Sequence, residues 1–154
     1  MRFLLKPELL WVDMVHTQTN SFKEVYSIEL QMELAEKASI RFKDVNYIKI
    51  LQGDSGRLQL QILKEVDKPV ILWLDAHYSG GLTARGEKEC PIYEELSAIL
   101  HKMTEKKHIL LIDDARCFDG TGDYPTIEQM TKYIREKQPD YRVSVKNDVI
   151  IYES

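Results

Sequence analysis

Glycine is missing where a nucleotide-binding loop would most need it: of the seven glycines in 154 residues, none precedes Gly53. The front of the chain therefore holds no glycine-rich turn, and no lysine-bearing phosphate loop follows later. Cysteine is equally sparse. Cys90 and Cys117 build no disulfide framework, and neither belongs to a CxxC or Cys/His pairing of the kind zinc requires. They read as free thiols of a reducing compartment. No apolar run approaches the roughly 20 residues that cross a bilayer. Lys6, Pro7 and Glu8 interrupt the start, where a signal peptide would be apolar. These absences point to a cytoplasmic protein with no membrane partner. Dense basic clusters are absent too. Lys102, Lys106 and Lys107 form the richest group and read as the solvated end of a helix. With a formal charge of −4, this argues against nucleic acid as the main partner.

What is present is the balance of a globular chain, 44% hydrophobic and 30% charged. The length fits one domain, 1–154, around one core. There is no internal repeat and no low-complexity linker. Apolar runs alternate with helical patterns. Val25 to Ile28, Tyr47 to Leu51, Val70 to Leu74 and Ile109 to Ile112 read as strands, the last two buried on both faces. Between them, Leu30, Leu34, Ala35, Ala38 and Phe42 recur at helical spacing. Leu58, Ile62, Leu63 and Val66 do the same behind a cap at Asp54 or Ser55. Pro91 opens a helix with Ile92, Leu96, Ile99, Leu100 and Met103 inward. Pro125 opens another with Ile127, Met130 and Ile134 inward, and Pro139 ends it. Leu9 to Val12 is the candidate first strand, followed by a short helix over Asp13 to Ser21. Tyr141 to Val145 and Val149 to Tyr152 flank Lys146-Asn147-Asp148 as a hairpin would. The expected fold class is α/β, doubly wound and Rossmann-like. Its sheet is mostly parallel with a C-terminal antiparallel hairpin, and helices cover both faces.

In such a sheet, ligands bind beyond the carboxyl ends of the strands. Here that edge is acidic: Glu29, Asp54, Asp75 and the pair Asp113-Asp114 each follow an apolar run directly or within a few residues. Adjacent strands lie roughly 5 Å apart. Asp75, Asp113 and Asp114 can therefore converge on one hard cation, magnesium, manganese or calcium. Alternatively they cap the following helices or pair with Arg85 or Arg116. His77, just past Asp75, suits a general base, a further ligand, or a hydrogen bond to the loop backbone. His16, His101 and His108 lack such a context and read as structural or surface residues. Glu29 suits the two hydroxyls of a ribose, or is simply an acid favoured near a helix N-terminus. Asp54 suits an adenine amino group or, better, a helix cap. The long stretch from Tyr78 to Cys90, with Gly80, Gly81, Arg85 and Gly86, suits a lid or a plain surface loop. Phe118 to Tyr124 can form the opposite wall.

Val25-Tyr26-Ser27-Ile28-Glu29, Gln52-Gly53-Asp54-Ser55, Leu74-Asp75-Ala76-His77 and Leu111-Ile112-Asp113-Asp114 occur in an order that resembles class I S-adenosylmethionine-dependent methyltransferases. The likeness is to bacterial proteins associated with polysaccharide synthesis and to metal-dependent O-methyltransferases. It runs from Val25 to the C-terminus, with Trp73 to Gly81 and Pro91 to Leu96 its more distinctive stretches. The resemblance implies that Glu29, Asp54, Ser55 and Asp75 bind the cofactor. It implies that Asp75, Asp113 and Asp114 chelate a divalent cation, usually magnesium, and that Asp75 and His77 serve catalysis. Where catechol enzymes carry a lysine, this chain has His77 or Tyr78. It also lacks the glycine loop expected after the first strand and offers Leu9-Leu10-Trp11-Val12-Asp13-Met14, as if shortened or altered at the front.

The leading expectation is an S-adenosylmethionine-dependent O-methyltransferase, metal-assisted, acting on a hydroxyl of a sugar or other small molecule. The alternatives are a degenerate domain that serves as a binding module and a metal-dependent phosphoester hydrolase. The acceptor and any homo-oligomeric state are not legible in the sequence.

Overall fold

The computed structural model of the protein describes residues 2–5, 22–66, 68–74, 90, 92–102 and 107–154. Among the described residues, seven strands form one sheet: β1 (Arg2–Leu5), β2 (Glu24–Glu29), β3 (Ile48–Gln52), β4 (Val70–Leu74), β5 (Ile109–Ile112), β6 (Arg142–Lys146) and β7 (Val149–Glu153). Their spatial order is β3-β2-β1-β4-β5-β7-β6. β1 to β5 are parallel, and β7 runs antiparallel to both β5 and β6. The expected C-terminal hairpin is present. Asn147 and Asp148 turn it with φ of 51° and 64°, the left-handed pair that a tight hairpin matched to strand twist requires.

The first strand differs from the expectation. It is Arg2–Leu5, not Leu9 to Val12. Although short, it pairs along its whole length with β2 on one side and β4 on the other. Two neighbours satisfy its backbone in a way that apolar content alone does not register. Leu9 to Val12 and the helix expected over Asp13 to Ser21 lie outside the described residues.

Four helices are described: α1 (Met32–Arg41), α2 (Ser55–Glu65), α3 (Ile92–Lys102) and α4 (Ile127–Lys137). Alternation along the strands decides what each face carries. On one face Ile28, Leu72, Leu74, Leu110, Ile112, Ile150 and Tyr152 pack against apolar residues of α2, α3 and α4. On the other, Val25, Ile48 and Phe42, the residue that closes α1, pack with Ile50, Ile71, Trp73 and Leu111. Helices thus cover both faces. Leu30, expected on the first helix, precedes it and is 49% exposed. The last helix is opened not by Pro125 itself but by a reciprocal cap: Gln129 donates its amide to the Thr126 hydroxyl, and the Thr126 amide reaches the Gln129 side chain.

Buried polar groups tie the core together. The imidazole Nδ1 of His108 accepts from the Val70 amide at 3.0 Å, and the Tyr141 hydroxyl donates to the His108 carbonyl. Thr131 donates its hydroxyl to the Ile127 carbonyl at 2.6 Å, so the Tyr152 hydroxyl, 2.8 Å away, is the donor to Thr131. Burial pushes both tyrosine phenols up to about 12 from the ordinary 10. In the unfolded chain they ionise near the ordinary value. Their contribution is therefore complete below about pH 10 and is lost as pH rises toward 12. Urea midpoints should fall across that window, and absorbance should show Tyr141 and Tyr152 ionising only as the protein unfolds. Ionisation of all eight tyrosines near pH 10 with the fold intact would contradict this.

Candidate functional site at the carboxyl edge of the parallel strands

The strand order reverses between β1 and β4, where an open sheet leaves a crevice at its carboxyl edge. Glu29 ends β2 on this edge and is half-buried. Its Oε1 accepts the Gln31 amide at 3.1 Å. Burial raises the Glu29 carboxyl above its ordinary value, and the Gln31 and Leu30 amides oppose that shift. The neighbouring strand is tied to the same point. The Gly53 amide donates to the Glu29 carbonyl at 2.9 Å, and the Gln52 side-chain amide donates to the Leu30 carbonyl at 2.9 Å. Gly53 has φ +148°, and a Cβ there would stand 2.9 Å from Leu58 Cδ1. A side chain at 53 would be strained and would press on the first turns of α2.

Asp54 takes the cap role. It is exposed, and its Oδ1 accepts the Arg57 amide at 2.9 Å at the N-terminus of α2. Ser55 opens that helix, and its side chain lies outside the described residues. Asp75, His77, Tyr78 and the stretch through Arg85 also lie outside them. Leu74, the residue before Asp75, pairs with Ile112, and its carbonyl accepts the Asp113 amide at 3.0 Å.

Asp113 is half-buried, and its Oδ1 accepts the Asp114 amide at 2.9 Å. Asp114 has φ 56° and ψ 50°, left-handed values that aspartate tolerates better than most residues. Its Oδ1 lies 2.6 Å from Arg116 Nη2. The other guanidinium nitrogen, Nη1, pairs with Asp148 Oδ2. Asp148 also accepts the Arg116 amide through Oδ1 at 2.9 Å and the Ala115 amide through its carbonyl at 2.8 Å. The β6-β7 turn therefore clasps the short helical turn Ala115–Cys117. Asp148 was invisible as a site element in the sequence. Its one signal was the Asn147-Asp148 turn, which says nothing of what the turn touches.

Phe118 to Tyr124, expected as a wall, lies among the described residues. Phe118 is buried and meets Tyr124 edge to face at 5.7 Å. Asp119 accepts the Thr121 hydroxyl at 2.6 Å and its amide at 2.9 Å, which lowers the Asp119 carboxyl. Among the described residues, no group of three or more His, Cys, Asp or Glu is placed to hold a metal ion. Of the expected ligands, the described residues hold Asp113 and Asp114, and Asp114 is ion-paired.

No protein-family model matches the sequence, and no curated protein matches it. Solved structures do match. A protein of Staphylococcus aureus assigned as a caffeoyl-CoA O-methyltransferase superposes with a TM-score of 0.57 at 14% identity, over 99% of this chain and 75% of that one. SMU.1697c of Streptococcus mutans, assigned as a methyltransferase and solved in complex with SAH, gives 0.56 at 17% identity over 99% and 88%. An rRNA methylase of Streptococcus thermophilus gives 0.53 at 13% identity over 99% and 85%. The chain has the methyltransferase fold. At these identities the likeness concerns the fold. Among the described residues, no helix of this methyltransferase-fold chain is long and apolar enough to cross a membrane.

The cap at Asp54 has a direct test. Asp54→Ala should cost about 1 kcal/mol in urea unfolding, and Asp54→Asn should recover most of it. An unchanged midpoint for Asp54→Ala would remove the cap role.

Proposed function

We propose that the protein is an S-adenosylmethionine-dependent methyltransferase acting on a hydroxyl of a small molecule. The observation that carries this reading is Glu29, a half-buried carboxylate at the tip of β2 beside the sheet's switch point. Two backbone amides occupy part of its acceptor capacity, and a carboxylate has more to offer. That remainder suits the paired hydroxyls of a ribose. Leu30 and Met32, 49% and 65% exposed, follow it in the chain and supply apolar surface for a nucleoside.

The cofactor brings a methyl group activated on a sulfonium. The residues of this chain bind and orient: Glu29 the ribose, Ser55 and Asp75 the rest of the adenosyl group. Asp54 contributes mainly by holding the α2 terminus. The proton of the acceptor hydroxyl passes to His77, the imidazole two residues past Asp75. A divalent cation, magnesium for preference, belongs to the same reading, held by Asp75, Asp113 and Asp114. Its support is the chemistry of the donor set and the Leu74–Asp113 hydrogen bond, which sets the residue before Asp75 against Asp113. A small, hydroxylated acceptor rests on the charge of −4 and the lack of a basic cluster. Some proteins of this fold are rRNA methylases, so the fold does not by itself exclude RNA.

Calorimetric titration with S-adenosylhomocysteine should show saturable binding that Glu29→Ala weakens at least tenfold. Affinity should be full at neutral pH and fall on acidification at a higher pH than an ordinary carboxylate would give, because Glu29 titrates high. No binding at millimolar ligand would overturn the reading. For the cation, Asp113→Asn should weaken manganese binding while the circular dichroism spectrum stays native. Unfolding by that variant would instead mark Asp113 as a structural residue.

A further inference from the structure

We propose that β6 is a docking edge for an extended acidic segment of a partner protein, which joins the sheet as a further strand. β6 ends the sheet, and among the described residues its sole strand partner is β7. The turn between the two strands holds Asn147 and Asp148 alone, so Lys146 and Val149 close the ladder as a hydrogen-bonded pair. Bonded pairs then alternate with non-bonded ones along the hairpin. Arg142, Ser144 and Lys146 direct their backbone groups to β7. Val143 and Val145 turn theirs away from it, toward the open edge. Edge amides and carbonyls left in this way are a template for another strand.

The side chains define which strand fits. Val143 is partly buried against the core and, with Ile127, lines a groove of about 860 Å³ beside α4. Val145, two residues on and on the same face of the strand, is 53% exposed. Apolar side chains of an added strand cover both. The groove's own charges, Glu128, Lys132, Arg135 and Glu136, cancel. The excess positive charge comes from the strand. Arg142 and Lys146 are exposed, and among the described residues neither is held in an ion pair. Glu153 stands opposite Arg142 in β7 without pairing to it. An incoming antiparallel strand bonds to Val143 and Val145, so Arg142 and Lys146 fall at its non-bonded positions, where facing side chains are closer. Two carboxylates at the matching spacing suit them. The partner motif is therefore acid, apolar, any residue, apolar, acid. A second copy of this chain does not fit it. Antiparallel self-pairing centred on Ser144 sets Arg142 against Lys146, like charges directly opposite each other.

A short synthetic peptide whose centre reads glutamate, valine, threonine, valine, glutamate tests the idea on the nitrogen-15-labelled full chain. Titration should give saturable amide shifts along β6 and at Ile127. At saturation, hydrogen exchange of the Val143 and Val145 amides should slow roughly tenfold or more, while that of Ser144, already bonded to β7, stays as it was. Val145→Pro removes one outward amide, a change that an edge strand tolerates, and should abolish binding. Joint Arg142→Gln and Lys146→Gln substitution should weaken binding roughly three- to tenfold, the range open to exposed pairs, and serves if Val145→Pro does not fold. Absence of binding at millimolar peptide would overturn the proposal and leave Arg142 and Lys146 as guards of a bare edge. Equal binding of a control peptide with lysines in place of the two glutamates would also overturn it, because charge would then not select the partner. So would slow exchange at Val143 and Val145 without peptide, which would make a second copy the occupant. Tighter binding of an oligouridylate than of the acidic peptide would mark the strand as an RNA contact instead.

Discussion

Two backbone hydrogen bonds, one from the Gly53 amide to the Glu29 carbonyl and one from the Asp113 amide to the Leu74 carbonyl, hold the tips of the parallel strands in line. Each continues the ladder past the last paired residues, Glu29 with Gln52 and Leu74 with Ile112. β1 lies between β2 and β4 in the sheet, so the parallel strands end on one edge. Slippage of either pair by one residue would turn every core side chain to the wrong face. The alternating burial of Val70, Leu72 and Leu74 makes that slip expensive. The packed core thus determines where the acids stand.

An edge so rich in carboxylates needs compensation, and the protein finds it in three ways. Backbone amides serve Glu29 and Asp113, a helix terminus takes Asp54, and a guanidinium takes Asp114. These partners set different chemistry at each acid. Asp54 is committed to its helix. Glu29 is raised by burial and keeps acceptor capacity. Asp114 is ion-paired with Arg116.

Much of the scaffold was legible in the sequence because it is written in periodicity. β4 and β5 match their apolar runs residue for residue, and the hairpin follows from two strand-like runs around a three-residue turn. The first strand was not legible. Arg2–Leu5 is short, and only its two neighbours make it central. The candidate site was legible as a row of acids after strands, but not in its partners. Nothing in the spacing of Asp114 and Asp148, far apart in the chain, says that Arg116 joins them. The role of Gly53 is likewise set by Leu58, a contact made only once α2 packs.

The account stands or falls on whether an adenosyl group enters at the tip of β2. Amide chemical shifts of the nitrogen-15-labelled protein, recorded with and without S-adenosylhomocysteine, test this most directly. The largest changes are expected at Glu29, Leu30, Gln31 and Gly53, with smaller ones at Asp113 and almost none along α4. An unchanged spectrum, or changes centred on α4 and β6, would contradict it.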